Sequence, residues 1–286
     1  MSAASQIATP EGRFTADVAG PAGAPLVLLL HGFPQSRHSW REQVPALAAA
    51  GYRAVAADQR GYSPGVRPDP AVGLAAYSVD RLIADVLDLA AAEGHGAKPF
   101  HLVGHDWGGH VSWAVAHRHP ERVASLTVLS RPHPAAFRRA LRENADDQQH
   151  RSRHHKIFHD PATAGLLLED GGRRFKRNLA NQGVGEAAIE EYYSVLGERT
   201  ALESALAWYR AAGALTGTEV GPIAVPTMYI WGEADATVGP SAARWTADHV
   251  TGPYRFETAA GAGHFLTDQA PGAVTRLLLE HLTAYR

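Results

Sequence analysis

Three residues capable of acid–base or nucleophilic chemistry follow predicted strands: Asp106, Asp235 and His264. Asp106 is the centre of GHDWGG, where a short apolar run ends in Gly-x-Asp-x-Gly and a helix-like segment follows. Such a turn raises its central side chain above a parallel sheet, because small flanking residues let strand and helix approach closely. A carboxylate is ionised at neutral pH and can displace a leaving group from saturated carbon. The sequence therefore predicts that Asp106 is a nucleophile that forms an ester with its substrate.

His264 and Asp235 complete a nucleophile, acid and histidine set in chain order. Alone, an aspartate after a strand is usually a turn or helix-cap residue, and a histidine in a glycine-rich loop is usually solvated. Their order and their shared position at strand ends favour catalysis. We expect His264, oriented by Asp235, to deprotonate the water that hydrolyses the Asp106 ester.

Hydrolysis of an ester on Asp106 places an oxyanion on that residue, so hydrogen-bond donors are needed there. The backbone N–H of Trp107 directly follows the nucleophile, and that of Phe33 lies in the turn HGFP after another strand. Alone, HGFP is an ordinary strand-ending turn. Together with the elbow, it predicts an oxyanion hole made by Phe33 and Trp107.

The elements that would position these residues alternate between strand and helix. Apolar runs predict buried strands at Pro25–Leu30, Ala54–Ala57, from Phe100 to the elbow, Val123–Leu129 and Thr227–Trp231. Apolar residues at three- and four-residue spacing predict helices between them. An alternating pattern over Arg13–Val18 predicts a half-buried, antiparallel edge strand. The fold class predicted is α/β, with a mostly parallel sheet covered by helices on both faces.

The alternation stops after the strand at Val123–Leu129. From about Phe137 to Ala214 the pattern is helical and polar, with a break at Glu169–Gly172. We interpret residues 133–218 as an inserted helical cap, and residues 1–132 with 219–286 as the core domain.

Composition excludes several classes of protein and partner. The 286 residues are 45% hydrophobic and carry 27 basic and 29 acidic side chains, so no nucleic-acid or acidic-membrane surface is indicated. The absence of cysteine excludes disulfides and thiolate metal sites. Without an export signal or a membrane-spanning apolar run, the expectation is a cytoplasmic protein with no membrane partner.

The motifs resemble those of the epoxide hydrolase branch of the α/β-hydrolase superfamily. HGFP and GHDWGG are similar to its oxyanion and nucleophile motifs, and DQRGY at Asp58–Tyr62 is similar to a loop these enzymes share. The resemblance implies an α/β-hydrolase fold with a cap, opening of a mostly apolar epoxide to a vicinal diol, and no cofactor. It also implies that two cap tyrosines act as acids, and Tyr209 in WYR matches the second. His31, Pro34 and Trp208 are expected to contact substrate.

The first cap tyrosine has no match, because His154 stands where it is expected. An imidazolium or an imidazole N–H could donate to the epoxide oxygen and alter the pH dependence. Tyr192 or Tyr193 could serve instead, but adjacent helical residues point about 100° apart, so at most one would face the site. Ordinary packing is the favoured interpretation of both.

The cap histidines also fit a metal hypothesis. His150 with His154, and His155 with His159, have the i,i+4 spacing of zinc ligands on a helix. No cysteine or HExxH pattern accompanies them, and a solvated basic face is the favoured interpretation. No metal is therefore expected.

Two other functions stay open. A dehalogenase could use the same aspartate, with indole N–H groups of Trp107 and Trp208 receiving the halide, although Phe33 offers no side-chain donor. The fluoroacetate type would need arginines where Trp107 and His110 stand. A non-catalytic small-molecule binding protein on the same scaffold is disfavoured by the intact set of three residues.

Overall fold

The structure is a computed structural model that describes residues 4–214 and 219–286, apart from the side chains of residues 213 and 214. Its strands form one sheet. In chain order they are β1 (Ser5–Thr9), β2 (Gly12–Ala19), β3 (Leu26–Leu30), β4 (Arg53–Ala57), β5 (Phe100–His105), β6 (Val123–Leu129), β7 (Thr227–Gly232) and β8 (Tyr254–Ala259).

The strand order across the sheet is β1-β2-β4-β3-β5-β6-β7-β8. β2 pairs antiparallel with both β1 and β4, and every pairing from β4 to β8 is parallel. The strands predicted from apolar runs are all present, and β3, β5 and β7 are buried along their whole length. The carboxyl ends of the parallel strands consequently lie along the same edge of the sheet.

The predicted strand at Arg13–Val18 is antiparallel, but its predicted place at the edge of the sheet is wrong. The edge is β1, which turns directly into β2 through the pairing of Thr9 with Gly12. β1 is short and mostly exposed, and Ile7 is its one buried residue. A single apolar residue among small polar ones leaves no period-two pattern to detect.

Helices cover both faces of the sheet and one of its edges. They are α1 (Gln43–Ala49), α2 (Val79–Ala90), α3 (Trp107–Arg118), α4 (Pro134–Glu143), α5 (Gln148–Arg151), α6 (His154–His159), α7 (Thr163–Ala180), α8 (Glu186–Leu196), α9 (Arg199–Ala214), α10 (Pro240–Trp245), α11 (Leu266–Gln269) and α12 (Pro271–Ala284).

The side chains of β3 show how the two faces are divided. Leu28 and Leu30 belong to the apolar cluster that includes α2 and α3, whereas Val27 and Leu29 belong to the cluster that includes α1 and α12. This alternation follows from the period of two along a strand. The predicted α/β architecture, with helices on both faces of a mostly parallel sheet, is confirmed.

Helices α4 to α9 lie between β6 and β7 in the chain, where the helical insertion was predicted. The predicted break in α7 is present, with positive φ angles at Asp170, Gly171 and Gly172. Tyr209 on α9 and Trp107 on α3 belong to one buried cluster, so the insertion packs on the core. The limits at residues 133 and 218 remain a prediction, and residues 215–218 lie outside the described residues.

Among the residues that the structure describes, no helix combines the length and apolar character needed to cross a bilayer.

Candidate active site

Asp106 occupies the sharp turn between β5 and α3. Its backbone has φ 48° and ψ −114°, a conformation that few residues other than glycine adopt. The turn requires a close approach of strand and helix, because a Cβ on Gly104 would lie 2.4 Å from the carbonyl oxygen of Gly108. A Cβ on Gly108 would in turn lie 2.3 Å from the carbonyl oxygen of Leu30. Backbone geometry therefore requires the small residues on either side of Asp106.

The HGFP turn after β3 contacts the Asp106 carboxylate directly. The N–H of Phe33 donates a 3.0 Å hydrogen bond to Asp106 Oδ1. Gly32 makes this approach possible, because a Cβ there would lie 2.4 Å from the Asp106 Cβ. Trp107 is the first residue of α3, where backbone N–H groups have no intrahelical acceptor. One backbone donor thus contacts the carboxylate that the sequence predicts as nucleophile, and the N–H of Trp107, which directly follows it, has no acceptor within its helix.

His264 lies between the two carboxylates. Its Nδ1 donates a 2.9 Å hydrogen bond to Asp235 Oδ2, and its Nε2 lies 3.6 Å from Asp106 Oδ2. The other oxygen of Asp235 accepts the backbone N–H groups of Thr237 and Val238 at 2.7 and 3.0 Å. Asp235 is thereby fixed, and the ring of His264 presents Nε2 toward Asp106.

Burial and charge have opposite effects on the pKa values of His264 and Asp106. Burial would lower the pKa of His264, but the negative charges of Asp235 and Asp106 and the hydrogen bond to Asp235 outweigh it and raise that pKa. Burial would raise the pKa of Asp106, but the attraction of His264 at 3.6 Å outweighs it and lowers that pKa. At neutral pH the free protein therefore holds a carboxylate beside an imidazolium.

Two buried side chains that the sequence did not identify fix the loop carrying His264. The Ser130 hydroxyl and His105 Nε2 each donate a 2.8 Å hydrogen bond to the backbone carbonyl of His264. Burial lowers the pKa of His105 to about 4, so this ring is neutral and can hold its proton on Nε2. Both residues end strands adjacent to the nucleophile, and this position was the only sequence signal for them.

Asp106 and His264 open into a pocket of about 560 Å³ between core and cap. Phe33, Pro34 and Tyr209 are among its lining residues. Apolar cap residues make up much of the remaining wall: Ile157, Phe158, Leu166, Leu167, Phe175 and Leu179. Such a wall suits a largely apolar small molecule.

His31 does not line this pocket, so its expected substrate contact is wrong. It is completely buried, its Nδ1 bonds to the carbonyl oxygen of Gly32, and its Nε2 accepts the N–H of Gln59. The Gln59 side chain also donates to the His31 carbonyl at 2.6 Å. His31 supports the HGFP turn by joining it to the loop after β4.

Trp208 also lies away from the pocket. Its indole N–H donates a 3.1 Å hydrogen bond to the carbonyl of Arg60, and its ring contacts Tyr62. Its one polar group is used within the protein, and because Trp208 lines a cavity next to this pocket, its expected contact with substrate stays a prediction.

Tyr209 borders the pocket, and Trp107 lies behind it. The two rings meet edge to face with centroids 4.9 Å apart. Burial raises the pKa of Tyr209 well above its ordinary value, while a hydrogen-bonding interaction with the Trp107 side chain opposes that rise. Tyr209 consequently keeps its proton at physiological pH and can donate it.

His154 is a pocket residue of the cap, with its ring centroid 6.5 Å from that of Tyr209. Its Nδ1 lies 3.1 Å from the carbonyl oxygen of Arg151. Burial lowers the pKa of His154 to about 4 despite the nearby charge of Asp106. Since a carbonyl only accepts, the neutral ring holds its proton on Nδ1 and leaves Nε2 as an acceptor.

The other aromatic and histidine candidates of the cap face elsewhere. Tyr192 donates to Asp268 at 2.9 Å, and Tyr193 packs against Phe175. Neither tyrosine lines the pocket. Within residues 4–214 and 219–286, no three or more His, Asp or Glu side chains are grouped to hold a metal ion.

The family comparison agrees with the fold and with the motif resemblance. The sequence pattern of the alpha/beta hydrolase fold family matches residues 25–271. Epoxide hydrolase A of Mycobacterium tuberculosis is 36% identical, over 93% of this chain and 92% of that protein. Epoxide hydrolase 3 of Xenopus tropicalis is 31% identical, over 94% of this chain and 74% of that protein.

Solved structures give the same result. An epoxide hydrolase of Bacillus megaterium in complex with an inhibitor superposes with a TM-score of 0.86 at 26% identity, covering 98% of this chain and all of that one. Epoxide hydrolase A from Mycobacterium thermoresistibile superposes with a TM-score of 0.82 at 28% identity, covering 100% and 99% of the two chains.

Proposed function

This chain belongs to the alpha/beta hydrolase fold family, together with the epoxide hydrolases, and from that membership we propose that it converts an epoxide to a vicinal diol. The observation that carries the proposal is the position of the Asp106 carboxylate. It faces a pocket lined by both apolar and polar cap residues, between a backbone donor at 3.0 Å and a histidine nitrogen at 3.6 Å. A carboxylate so placed can attack carbon without a base to activate it.

In the first step, an Asp106 carboxylate oxygen attacks one carbon of the epoxide ring. The ring C–O bond at that carbon breaks, and the oxygen takes the proton of the Tyr209 hydroxyl. The products are an ester on Asp106 and a phenolate on Tyr209. Tyr209 regains a proton from the imidazolium of His264 through solvent.

Formation of the ester changes His264 from an acid into a base. Asp106 and Asp235 together raise the pKa of His264 in the free protein, and esterification removes the charge of Asp106. The pKa of His264 then falls, and the neutral ring can deprotonate water.

The water oxygen adds to the ester carbonyl, and the resulting oxyanion is stabilised by the N–H groups of Phe33 and Trp107. Collapse breaks the bond between the Asp106 carboxyl carbon and the alcohol oxygen. That oxygen takes the proton left on the carboxyl group, so the diol departs and the carboxylate–imidazolium pair is restored. The sum is one epoxide and one water converted to one diol.

Tyr209 supplies the ring-opening proton near neutral pH in this mechanism. A neutral His154 with its proton on Nδ1 cannot donate from Nε2, and burial keeps the pKa of His154 near 4. We therefore propose that His154 acts as a second acid only at low pH, as the imidazolium.

The dehalogenase alternative loses support at the expected halide donors. The Trp208 indole N–H is bonded to the Arg60 carbonyl, and Phe33 has no polar side-chain group. The Trp107 side chain meets the Tyr209 ring edge to face and has a hydrogen-bonding interaction with Tyr209, so it too is engaged within the protein. A leaving halide would thus have few donors, whereas an epoxide oxygen has the Tyr209 hydroxyl.

A single turnover in ¹⁸O-labelled water tests the covalent route. The oxygen added to the first product comes from Asp106, so we expect unlabelled diol and label in the peptide that contains Asp106. The measurement is mass spectrometry of both product and digested protein. Label in the diol of the first turnover would mean direct attack by water and would overturn the ester mechanism.

The His264→Gln variant tests the hydrolysis step. Glutamine cannot act as a base, so the ester should accumulate and the intact protein should gain the mass of one substrate. Asp106→Asn is the matched control and should gain no mass. An unmodified His264→Gln protein that still releases diol would contradict the role given to His264.

A further inference from the structure

A second cavity of about 270 Å³ adjoins the active-site pocket at Tyr209, which lines both. It lies between core and cap beside the Trp107 indole. Its walls are largely apolar and aromatic, with Val79, Leu82 and Phe137 among them. The proposed reaction uses none of its residues except Tyr209 and Trp107.

The polar side chains of this second cavity are almost all basic. They comprise Arg131, Arg138, His110, His155 and His159, and no aspartate or glutamate is among the lining residues. Burial lowers the pKa of His110 and of His155 to about 3, and the charge of Arg131 adds to the effect at both. His110 and His155 are therefore neutral, and the arginines contribute positive charge.

Arg131 has no counter-ion in the part of the chain that the structure describes. Its guanidinium lies over the rings of Trp107 and Phe137, 5.7 and 4.8 Å from their centroids. Its Nε is buried without a hydrogen-bond partner, and so is Nδ1 of His110. Buried Arg60 differs, because it pairs with Asp85 at 2.5 Å and with Glu11 at 2.9 Å.

An unpaired guanidinium beside a nucleophile is costly to bury, so its charge calls for a ligand that supplies the missing acceptor. Planar guanidinium groups bind carboxylates through paired hydrogen bonds. The neutral histidines can add N–H donors, and the aromatic walls can cover a short apolar chain. The chemistry of the cavity thus suits an organic carboxylate better than a neutral or cationic molecule.

We propose that Arg131 binds the carboxylate of the substrate itself, and that this protein prefers epoxides that carry a carboxylic acid. The inference rests on the proposed epoxide hydrolysis and adds a substrate class to it. Since Tyr209 borders both cavities, the chain that joins a carboxylate beside Arg131 to an epoxide beside Asp106 must pass the Tyr209 side chain. The charge of Arg131 then contributes to selectivity as well as to the electrostatics of the site.

Matched substrates test the proposal. A series of ω-epoxy alkanoates of increasing chain length would be compared with their methyl esters, and kcat/KM measured for each pair. We expect the wild-type protein to favour the acid by about 10-fold or more at the best chain length. Arg131→Gln should reduce the acid-to-ester ratio by about 10- to 100-fold, the effect of losing a charged hydrogen-bonding partner.

Three further variants sharpen the comparison. Arg131→Lys keeps the charge but not the paired geometry and should fall between wild type and Arg131→Gln. Arg138→Gln removes the second arginine of the cavity and should also reduce the acid-to-ester ratio. It provides the test if Arg131→Gln does not fold. Arg142→Gln removes an exposed arginine of α4 that does not line the cavity and should leave the ratio unchanged.

Calorimetric titration with hexanoate, with hexanol as control, distinguishes a site for the substrate's own carboxylate from a site for a separate carboxylic acid. Arg131-dependent hexanoate binding without any preference for epoxy acids would mean that the site holds a separate acid, which overturns the substrate assignment. If hexanoate does not bind and epoxy acids are not preferred, the proposed carboxylate site itself is overturned. Equal losses of acid and ester turnover in Arg131→Gln would also overturn it, since Arg131 would then only support Asp106. Turnover of the methyl esters by the wild type tests epoxide hydrolysis independently.

Discussion

The side chain at position 154 determines how many acids face the epoxide. His154 donates a hydrogen bond from Nδ1 to the Arg151 carbonyl, so its other ring nitrogen, Nε2, is an acceptor at neutral pH. The phenol of Tyr209 stays protonated because burial raises its pKa. Acid catalysis at neutral pH consequently depends on one side chain, and a second acid is gained only when His154 is protonated.

Replacing His154 by tyrosine should restore a donor that does not depend on pH in this range. We expect His154→Tyr to raise the ring-opening rate at pH 7 by about 10-fold, the lower part of the range for a positioned acid. The wild-type ring-opening rate should rise as the pH falls toward about 4, and the variant's rate should not. Stopped-flow measurement from about pH 4 to 8 tests this, with His154→Phe as the isosteric control lacking the hydroxyl. A wild-type rate unaffected by pH, together with an unimproved variant, would contradict it.

Residues in recognisable local sequences could be predicted, and residues defined by distant contacts could not. Asp106 is marked by its flanking glycines and His264 by a glycine-rich loop. Arg131 differs from the 23 other arginines of the sequence in its position over Trp107 and Phe137, which chain folding creates. His31 was assigned to the pocket because its turn reaches the nucleophile, but its ring points into the core.

At the level of elements, cap helix α8 is attached to the core by a buried polar cluster next to the His264 loop. The Tyr192 hydroxyl donates to Asp268 on α11 at 2.9 Å, and the Gln35 amide donates to the same carboxylate at 2.8 Å. Arg41 forms an ion pair with Asp268 at 2.7 Å. The cluster holds one side of the cap against the element that follows the catalytic histidine.

Tyr192→Phe removes one donor from this cluster without changing the packing volume. We expect the free energy of unfolding to fall by about 1–3 kcal/mol, as for other buried bonds to charged groups. For a chain of this size the midpoint temperature should fall by a few degrees, measured by calorimetry. Tyr193→Phe, on the adjacent and less buried residue, is the matched control. An unchanged midpoint in Tyr192→Phe would show that Asp268 is satisfied by Arg41 and Gln35 alone.

Elements with strong apolar periodicity were predicted, and elements stabilised mainly by backbone pairing were not. β3 is a continuous apolar run and β5, β6 and β7 are mostly apolar, which is the pattern of strands buried on both faces. β1 is held by its register with β2, and its sequence is small and polar. The cap was recognised as helical from its composition, but no sequence pattern indicated how its helices pack.

For the molecule as a whole, buried histidines dominate the dependence of stability on pH. Burial lowers the pKa to about 3 or 4 at His101, His105, His110, His133, His154, His155 and His281. Unfolding returns each to about 6.5, so the unfolded chain binds more protons between these values. Stability is therefore fully present above pH 6.5 and is lost as the pH falls toward 4.

Each of these histidines should lower the free energy of unfolding by about 1.4 kcal/mol per pH unit within that window. His264 contributes to the pH dependence of the free energy of unfolding with the opposite sign. Its pKa is raised in the folded protein, so above pH 6.5 the folded state holds a proton that the unfolded chain releases. We expect the unfolding midpoint to be highest near neutral pH and to fall steeply below pH 6, as measured by circular dichroism. His159→Gln, at an exposed histidine, should leave the slope unchanged. A midpoint that is constant down to pH 5 would contradict the assignment of neutral buried histidines.

The two hydrogen bonds that hold the His264 carbonyl have a consequence for protein engineering. His105 ends β5 and Ser130 directly follows β6, so both donors lie outside the inserted helices and the base keeps its place whichever helices cover the pocket. Among the proposed reacting groups, only Tyr209 and His154 come from the insertion. In a chimaera that carries the cap of a relative, the new cap must therefore supply the proton donor at the position of α9. The core of this protein supplies the nucleophile and the base.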